Sequence, residues 1–228
     1  EIDFSIEEIE VDKNNIEKSN NNIIEEIIKI KKKNENNQNE KMIVLGGDHS
    51  ITYATFKAFT RENPDAGIII LDAHPDLMPA AKQQTHEDYL LKLIEEHILD
   101  PRKVIFVGLR NVHIQEKSFI LDHKIRTFEM KKIYSLSLQS TTETIMENVV
   151  DWPALYLSID IDVTDPAFAP GTGYCEPGGL TSRELLYIVG KLKLLRNLKM
   201  IDVVEVNPKI EERLTVSLAA EIVKEIMT

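Results

Sequence analysis

The spacing of apolar positions divides the chain near residue 42. In residues 16–33, isoleucines recur every three or four positions, which predicts an amphipathic helix on the surface. The stretch from Lys33 to Lys41 is polar throughout and predicts a solvated loop. We therefore expect residues 1–41 to form an N-terminal strand or helix and a polar loop without chemistry, and residues 42–228 to hold the core.

From residue 42 onward, short runs rich in β-branched residues alternate with segments of helical periodicity. The predicted strands are Met42–Leu45, Gly67–Leu71, Val104–Val107, Leu155–Ile161 and Met200–Val204. The predicted helices are Ile51–Phe59, Tyr89–Ile98, Thr141–Val149, Ser182–Leu195 and Thr215–Met227. Near-continuous apolar strands between helices indicate a parallel sheet covered on both faces. We expect one domain over residues 1–228 with an α/β fold, a three-layer α/β/α sandwich on a mainly parallel sheet.

Charge and composition narrow the function classes. Asp and Glu outnumber Lys and Arg by 38 to 27, and a chain of formal charge −11 repels phosphate backbones, so we expect no nucleic-acid partner. The longest apolar runs, such as Gly67–Leu71, are far shorter than the ~20 residues of a membrane span, and no secretory signal opens the sequence, so we expect no membrane partner. The single cysteine, Cys175, cannot form an intrachain disulfide, which favours a reducing, cytoplasmic location.

Residues that can bind a metal follow three of the predicted strands. They are, in chain order, His49, Asp72, His74, Asp76, Asp160 and Asp162. The carboxyl ends of parallel strands meet at one edge of a sheet, and alternate side chains of an extended strand point the same way. Four carboxylates in a small volume stay ionised only when cations compensate them, and two divalent ions would balance four aspartates. Oxygen-rich ligands with some imidazole suit Mn²⁺ better than Zn²⁺, so we expect two Mn²⁺ per chain.

Each of these residues alone has a simpler interpretation. An aspartate after a strand commonly forms a turn or caps a helix, and a histidine near Gly46 and Gly47 is commonly an ordinary hydrogen-bonded polar residue. The combination favours a metal site, because two strand ends of one small domain carry Asp-x-His-x-Asp and Asp-x-Asp sequences directly after apolar runs.

Four segments together resemble a known family. They are Gly46–Ser50, Asp72–Asp76, Ser158–Pro166 and Glu205–Pro208, in the order seen in the ureohydrolases, the family of arginases, agmatinases and formimidoylglutamases. The resemblance covers residues 42–228 and implies an arginase-like α/β/α sandwich, a binuclear manganese enzyme and a homotrimer or homohexamer. The ligand assignment it implies is His49 and Asp76 on one ion, His74 and Asp162 on the other, and Asp72 and Asp160 shared.

The chemistry that such a site performs is hydrolysis. Two close divalent ions can hold a bridging water and lower its pKa, giving a hydroxide that attacks a guanidinium carbon, after which the departing nitrogen needs a proton. Glu205 can hold the guanidinium by paired charge-assisted hydrogen bonds, and His86 resembles the family's proton-shuttle histidine. The structural alternatives are that Thr85 is an N-cap and His86 merely opens the helix predicted from Tyr89, and that Glu205 is a surface carboxylate.

The expected function is Mn-dependent hydrolysis of a linear guanidino compound, of the agmatine or arginine type, to urea and an amine. Arginases place Asn and Ser or Thr groups after the second motif, whereas residues 77–84 are apolar and then basic or amide. Arg110–His113 also lacks an acidic pair for an α-amino group, which favours agmatine. Lys82 or Arg110 would instead suit an anionic tail, as in formimidoylglutamase or a guanidino-acid hydrolase.

The N-terminal part of the sequence departs from the family. Neither the family's first strand nor its Gly-Pro-x-x-Ile-Arg helix is recognisable in residues 1–41. This leaves a non-catalytic oligomeric homologue as an alternative from a different functional class.

Overall fold

A computed structural model describes residues 4–12, 14–33, 41–79 and 84–228. The helices within these ranges are α1 (Ile16–Lys33), α2 (Ile51–Thr60), α3 (Tyr89–Glu95), α4 (Ile114–Asp122), α5 (Met130–Leu136), α6 (Leu138–Val149), α7 (Ser182–Leu192) and α8 (Leu214–Met227). The strands are β1 (Met42–Leu45), β2 (Gly67–Leu71), β3 (Val104–Val107), β4 (Arg126–Phe128), β5 (Leu155–Asp160) and β6 (Leu198–Val204). Two short 3₁₀ helices cover Pro101–Lys103 and Ile161–Val163.

The described strands pair in parallel throughout, in the order β1-β6-β5-β2-β3-β4. Strands β2 and β5 lie in the middle and are buried along their whole length, as their continuous apolar runs predict. Strands β1 and β4 are the edges of this order and are partly exposed. The order brings the carboxyl ends of β1, β6, β5 and β2 side by side, and these are the strand ends that carry the predicted site residues.

Helices cover both faces of the sheet. One hydrophobic core contains side chains of α1 to α4 and one set of alternate strand residues, such as Ile68 and Ile70. The other core contains side chains of α5 to α8 and the opposite set, such as Ile69 and Leu71. Alternation of side chains along an extended strand supplies both cores from one continuous apolar run. The three-layer α/β/α arrangement predicted from the sequence is therefore confirmed.

Helix α1 matches the predicted amphipathic helix over residues 16–33. It buries Ile23, Ile24 and Ile27 beside α2 in the first of these cores and places three lysines in its last turn. Most of the predicted loop, residues 34–40, lies outside the described residues. Within the described ranges, no helix combines the length and the apolar character that crossing a membrane requires.

The element boundaries differ from the predicted ones in a few places. The fifth strand ends at Asp160, because Ile161–Val163 forms a 3₁₀ turn that curls the chain around the strand end. Helix α3 ends at Glu95, three residues before the predicted end, and His97 then adopts a left-handed backbone with φ of 57° that no α-helix continues through. The sequence analysis missed α4, β4 and α5.

Candidate binuclear metal site and active-site cavity

Four neighbouring strand ends position the predicted site residues. His49 lies in the turn between β1 and α2, Asp72 directly follows β2, Asp160 is the last residue of β5, and Glu205 directly follows β6. Because these strands are adjacent and parallel, residues far apart in the sequence meet at one edge of the sheet.

The first cluster of ligands surrounds the His49 ring. Its Nδ1 lies 3.2 Å from a carboxylate oxygen of each of Asp72, Asp76 and Asp160. All four side chains are buried. His49, Asp72 and Asp160 therefore offer ligand atoms close enough together for one cation, and the assignment of Asp76 to the same ion stays a prediction.

The second cluster surrounds the His74 ring. Its Nδ1 lies 2.9 Å from Asp162 Oδ2 and 3.7 Å from Asp72 Oδ1. Asp72 directs Oδ2 towards the first cluster and Oδ1 towards the second, as a ligand shared between two ions must. Asp160 groups with His49 and Asp72, and its sharing with the second ion stays a prediction.

The donor atoms fit divalent cations. His49 Nδ1 and Asp72 Oδ2 are buried, and neither has a hydrogen-bond partner among the described residues. A buried polar atom without a partner is costly, and a cation between these two atoms would satisfy both. Carboxylate oxygens joined by imidazole nitrogens form a mixed set that suits a metal of the Mn²⁺ type.

The pKa values of the cluster reveal an excess of negative charge. Burial and the charge of Asp72 raise the pKa of Asp76 to about 7. Burial also opposes the ionised form of Asp72, but the adjacent rings of His49 and His74 outweigh it and lower the pKa of Asp72 to about 2. Burial would lower the pKa of His74, yet Asp162 and Asp72 raise it to about 11. Protons or cations must balance these carboxylates, and two divalent ions do so without protonating a ligand.

A small cavity opens beside both clusters. Its walls are His74, Asp76, His86, Asp160, Asp162, Thr172, Tyr174 and Glu205. The two residues that the sequence analysis assigned to substrate binding and proton transfer therefore share one cavity with four of the predicted metal ligands.

Glu205 faces this cavity from a constrained position. Its Oε1 accepts a 2.8 Å hydrogen bond from the backbone N–H of His49, and its own N–H donates to Gly47 O at 2.9 Å. Burial raises the pKa of the carboxyl, although the hydrogen bond from His49 opposes the shift. The half-buried side chain does not fit the alternative of a surface carboxylate.

His86 lies in a turn ahead of α3. The N-cap of that helix is Asp88, and Thr85 instead donates its N–H to Asp88 Oδ1 at 2.9 Å, so the alternative in which Thr85 caps the helix at His86 is wrong. The His86 ring packs 5.6 Å from the Tyr174 ring, centroid to centroid. His86 Nε2 is buried and has no hydrogen-bond partner among the described residues, as expected of an atom reserved for a substrate or a water molecule.

A model of the arginase family matches residues 3–228. This chain belongs to the arginase family. Proteins of this family are binuclear metal enzymes, and the two overlapping ligand clusters joined by Asp72 agree with that property.

Individual relatives of the chain carry different names. The chain is 35% identical to the proclavaminate amidinohydrolase of Streptomyces clavuligerus (83% of this chain, 61% of the relative) and 32% identical to the arginase of Entamoeba histolytica (78% and 65%). The crystal structure of formimidoylglutamase from Bacillus subtilis superposes with a TM-score of 0.90 at 27% identity, over 96% of this chain and 69% of that one. The chain thus spans somewhat less than two thirds of the length of these two curated relatives.

Arg110 has a structural role in this arginase-family chain. Its guanidinium donates to the backbone carbonyls of Asp162 at 2.6 Å and Glu176 at 2.7 Å, and more weakly to neighbouring carbonyls. It therefore ties the loop beneath Tyr174 to the end of β5 and is already engaged, which argues against the predicted role in binding an anionic tail. Lys82, the other residue suggested for that role, lies outside the described residues.

Several residues beside the clusters were given no role from the sequence. Thr172 and Tyr174 line the cavity, and Glu176 Oε1 lies 3.6 Å from His74 Nε2. Ser158 and Asp202 lie behind His49, inside strands. The available signal was a polar residue within an otherwise apolar run, in Leu155–Asp160 and in Leu198–Val204.

Proposed function

We propose that this chain hydrolyses a linear guanidino compound, of the agmatine or arginine type, to urea and an amine, with two Mn²⁺ per chain. The observation that carries the proposal is the convergence of two metal-ligand clusters, Glu205 and His86 on one cavity. The family supports a metal-dependent hydrolase, and the ligands would be His49, Asp72, His74, Asp76, Asp160 and Asp162. When bound there, two divalent cations activate a water molecule and neutralise the carboxylates.

Glu205 would bind and orient the guanidinium group. Its Oε1 is fixed by the His49 N–H, while Oε2 is directed to the side of Gly173. A planar guanidinium donates in-plane N–H groups, so an anchored carboxylate sets both its position and its plane. The guanidinium carbon then faces the metal ligands on the same cavity wall.

His86 would move a proton. Collapse of the tetrahedral intermediate breaks a C–N bond, and the departing nitrogen leaves as an amine only after it gains a proton. His86 lines the cavity, and its buried Nε2 has no hydrogen-bond partner among the described residues that would hold its proton. Water and the guanidino compound together supply all the atoms of urea and the amine, so the reaction needs no further reactant.

An acidic surrounding favours a cationic tail on the substrate. The chain carries a formal charge of −11, and Arg110 is engaged by backbone carbonyls. We therefore keep agmatine as the preferred type, and place hydrolysis of a formimino compound or a guanidino acid second. The predicted homotrimer or homohexamer and the cytoplasmic location belong to the same proposal.

A substrate panel tests the function. Mn²⁺-loaded protein is incubated with agmatine, arginine, 4-guanidinobutyrate and N-formimidoylglutamate, and urea and formamide are quantified. Urea from a guanidino compound is the expected result. Formamide from the formimino compound alone would replace the proposed substrate class, and no product from any compound by metal-loaded protein would favour the non-catalytic homologue.

A further inference from the structure

A buried carboxylate lies behind the first metal cluster. Asp202 is in β6, fully inaccessible, and aligned with Ser158 on β5. Its Oδ1 accepts from Ser158 Oγ at 2.6 Å, and its Oδ2 accepts from Tyr156 OH at 2.6 Å and from Thr52 Oγ1 at 2.7 Å. Three hydroxyl donors therefore hold an acceptor-only group in the core.

Ser158 connects this carboxylate to His49. The Ser158 Oγ lies 2.9 Å from His49 Nε2. A serine hydroxyl has one hydrogen, and that of Ser158 is donated to Asp202 Oδ1. Ser158 Oγ must then accept from His49, which requires the proton of the ring to be on Nε2.

The position of this proton determines whether the other ring nitrogen, Nδ1, can bind a metal. With the proton on Nε2, Nδ1 carries a lone pair, and Nδ1 is the atom 3.2 Å from Asp72, Asp76 and Asp160. The Tyr89 ring stacks on His49 at 4.3 Å between centroids and restricts tilting of the imidazole. Ring orientation and proton position are thus both set from behind the cluster.

We propose that Asp202, acting through Ser158, is a positioning residue that holds His49 with Nε2 protonated and so makes Nδ1 a metal ligand. The inference rests on the proposed metal site and concerns cation affinity. Partners behind a ligating histidine typically contribute a factor of about 10–100 to metal affinity. We call the hydrogen-bonded residues His49, Ser158 and Asp202 the relay. They lie in the turn before α2, in β5 and in β6, so the relay also connects the metal site to the sheet.

Two variants separate the relay from simple loss of a hydrogen bond. Ser158→Ala and Thr52→Val each remove one hydroxyl donor from Asp202 at a fully buried position, but of these two hydroxyl groups only that of Ser158 contacts the His49 ring. Mn²⁺ affinity is measured by competition with a chelator, and the melting temperature of the metal-free protein reports folding. Ser158→Ala should lose about 10–100-fold in Mn²⁺ affinity, while Thr52→Val stays within about threefold of the wild type.

The outcomes distinguish the relay from the function. Equal losses in the two variants, or wild-type affinity in Ser158→Ala, would overturn the relay and leave the hydrolase proposal intact. Wild-type protein that binds no divalent cation would remove both. If Ser158→Ala does not fold, nitrogen NMR of the metal-free wild type at a pH where the His49 ring is neutral decides: a proton on Nε2 of His49 supports the relay, and a proton on Nδ1 refutes it.

Discussion

Two residues of the proposed site adopt a left-handed backbone. Asp76 has φ of 51° and Glu205 has φ of 62°, values that side chains other than glycine adopt at a cost. Surrounding hydrogen bonds hold both: Leu77 N–H donates to the buried Glu116, and Glu205 N–H donates to Gly47 O. These turns direct the carboxylates that follow β2 and β6 into the same cavity, where an extended backbone would carry them past it.

Substitution of His86 and Glu205 should affect different kinetic constants. His86→Asn is expected to lower kcat by about 10²–10⁴-fold with little change in KM, because proton transfer matters in the transition state. Glu205→Gln is expected to raise KM and lower kcat, because the carboxylate binds the guanidinium throughout. Steady-state kinetics at full metal loading measures both.

The chain offers matched controls for these two variants. His97→Asn makes the same change at an exposed residue whose positive φ suits asparagine, and Glu212→Gln makes it at an exposed glutamate. Both should retain wild-type kinetics. An unchanged kcat in His86→Asn would return His86 to a structural role in the turn before α3.

Much of the site could be predicted from local sequence. The carboxyl ends of parallel strands meet at one edge of the sheet, and alternate side chains of a strand point the same way, so the residues that share this edge can be read from each strand. The pairing of His49 with Ser158 and Asp202 could not be predicted, since His49 is 109 positions from Ser158 and Ser158 is 44 positions from Asp202, and the three meet only through the strand order. The backbone of Glu205 and the engagement of Arg110 were hidden for the same reason.

At the scale of elements, the end of β6 leads through Glu205 into the start of α8. Glu211 accepts hydrogen bonds from the backbone N–H groups of Arg213, Leu214 and Thr215, at 2.6 to 2.9 Å. These bonds, led by that from Thr215, lower the pKa of Glu211 to about 2. Glu211 thus satisfies N–H groups that the first turn of α8 leaves unpaired.

Glu211→Gln should lower the melting temperature at pH 7. The native pKa is below the value of 4.5 expected for an unfolded chain, so the stabilisation is complete above that value and is lost as the pH falls towards 2. The difference between variant and wild type should therefore shrink as the pH falls from about 5 to about 2. Glu212→Gln is the control, and a pH-independent difference would contradict the assignment.

The predictable elements were those with a clear apolar pattern, the edge strand β1 included. Strands β2 and β3 match their predicted bounds because continuous apolar runs leave no choice, and α7 begins at Ser182 as predicted, after a capping box of Thr181 and Glu184. Strand β4 has three residues on an edge and gives no periodic signal. Helix α4 has a weakly amphipathic sequence, although His113 and Glu116 form a capping box that could have revealed its start.

At the scale of the whole molecule, negative charge should select the substrate. We expect a higher kcat/KM for agmatine than for arginine, because the α-carboxylate and α-amino group of arginine would lose water without gaining a partner. Among the described residues near the cavity, Asn111 is paired with Glu176 and Arg110 with backbone carbonyls. Comparison of kcat/KM for the two compounds tests this, and a tenfold or greater preference for arginine would contradict it.

The most direct test of the binuclear site is the metal content of the purified chain. After Mn²⁺ loading and removal of excess ions, elemental analysis should find about two Mn per wild-type chain, the number that balances four aspartates. Asp160→Asn, which removes a ligand proposed to be shared, should lower occupancy more than Asp162→Asn. A reproducible single zinc per chain, with no gain in metal content or activity from Mn²⁺, would contradict the binuclear site.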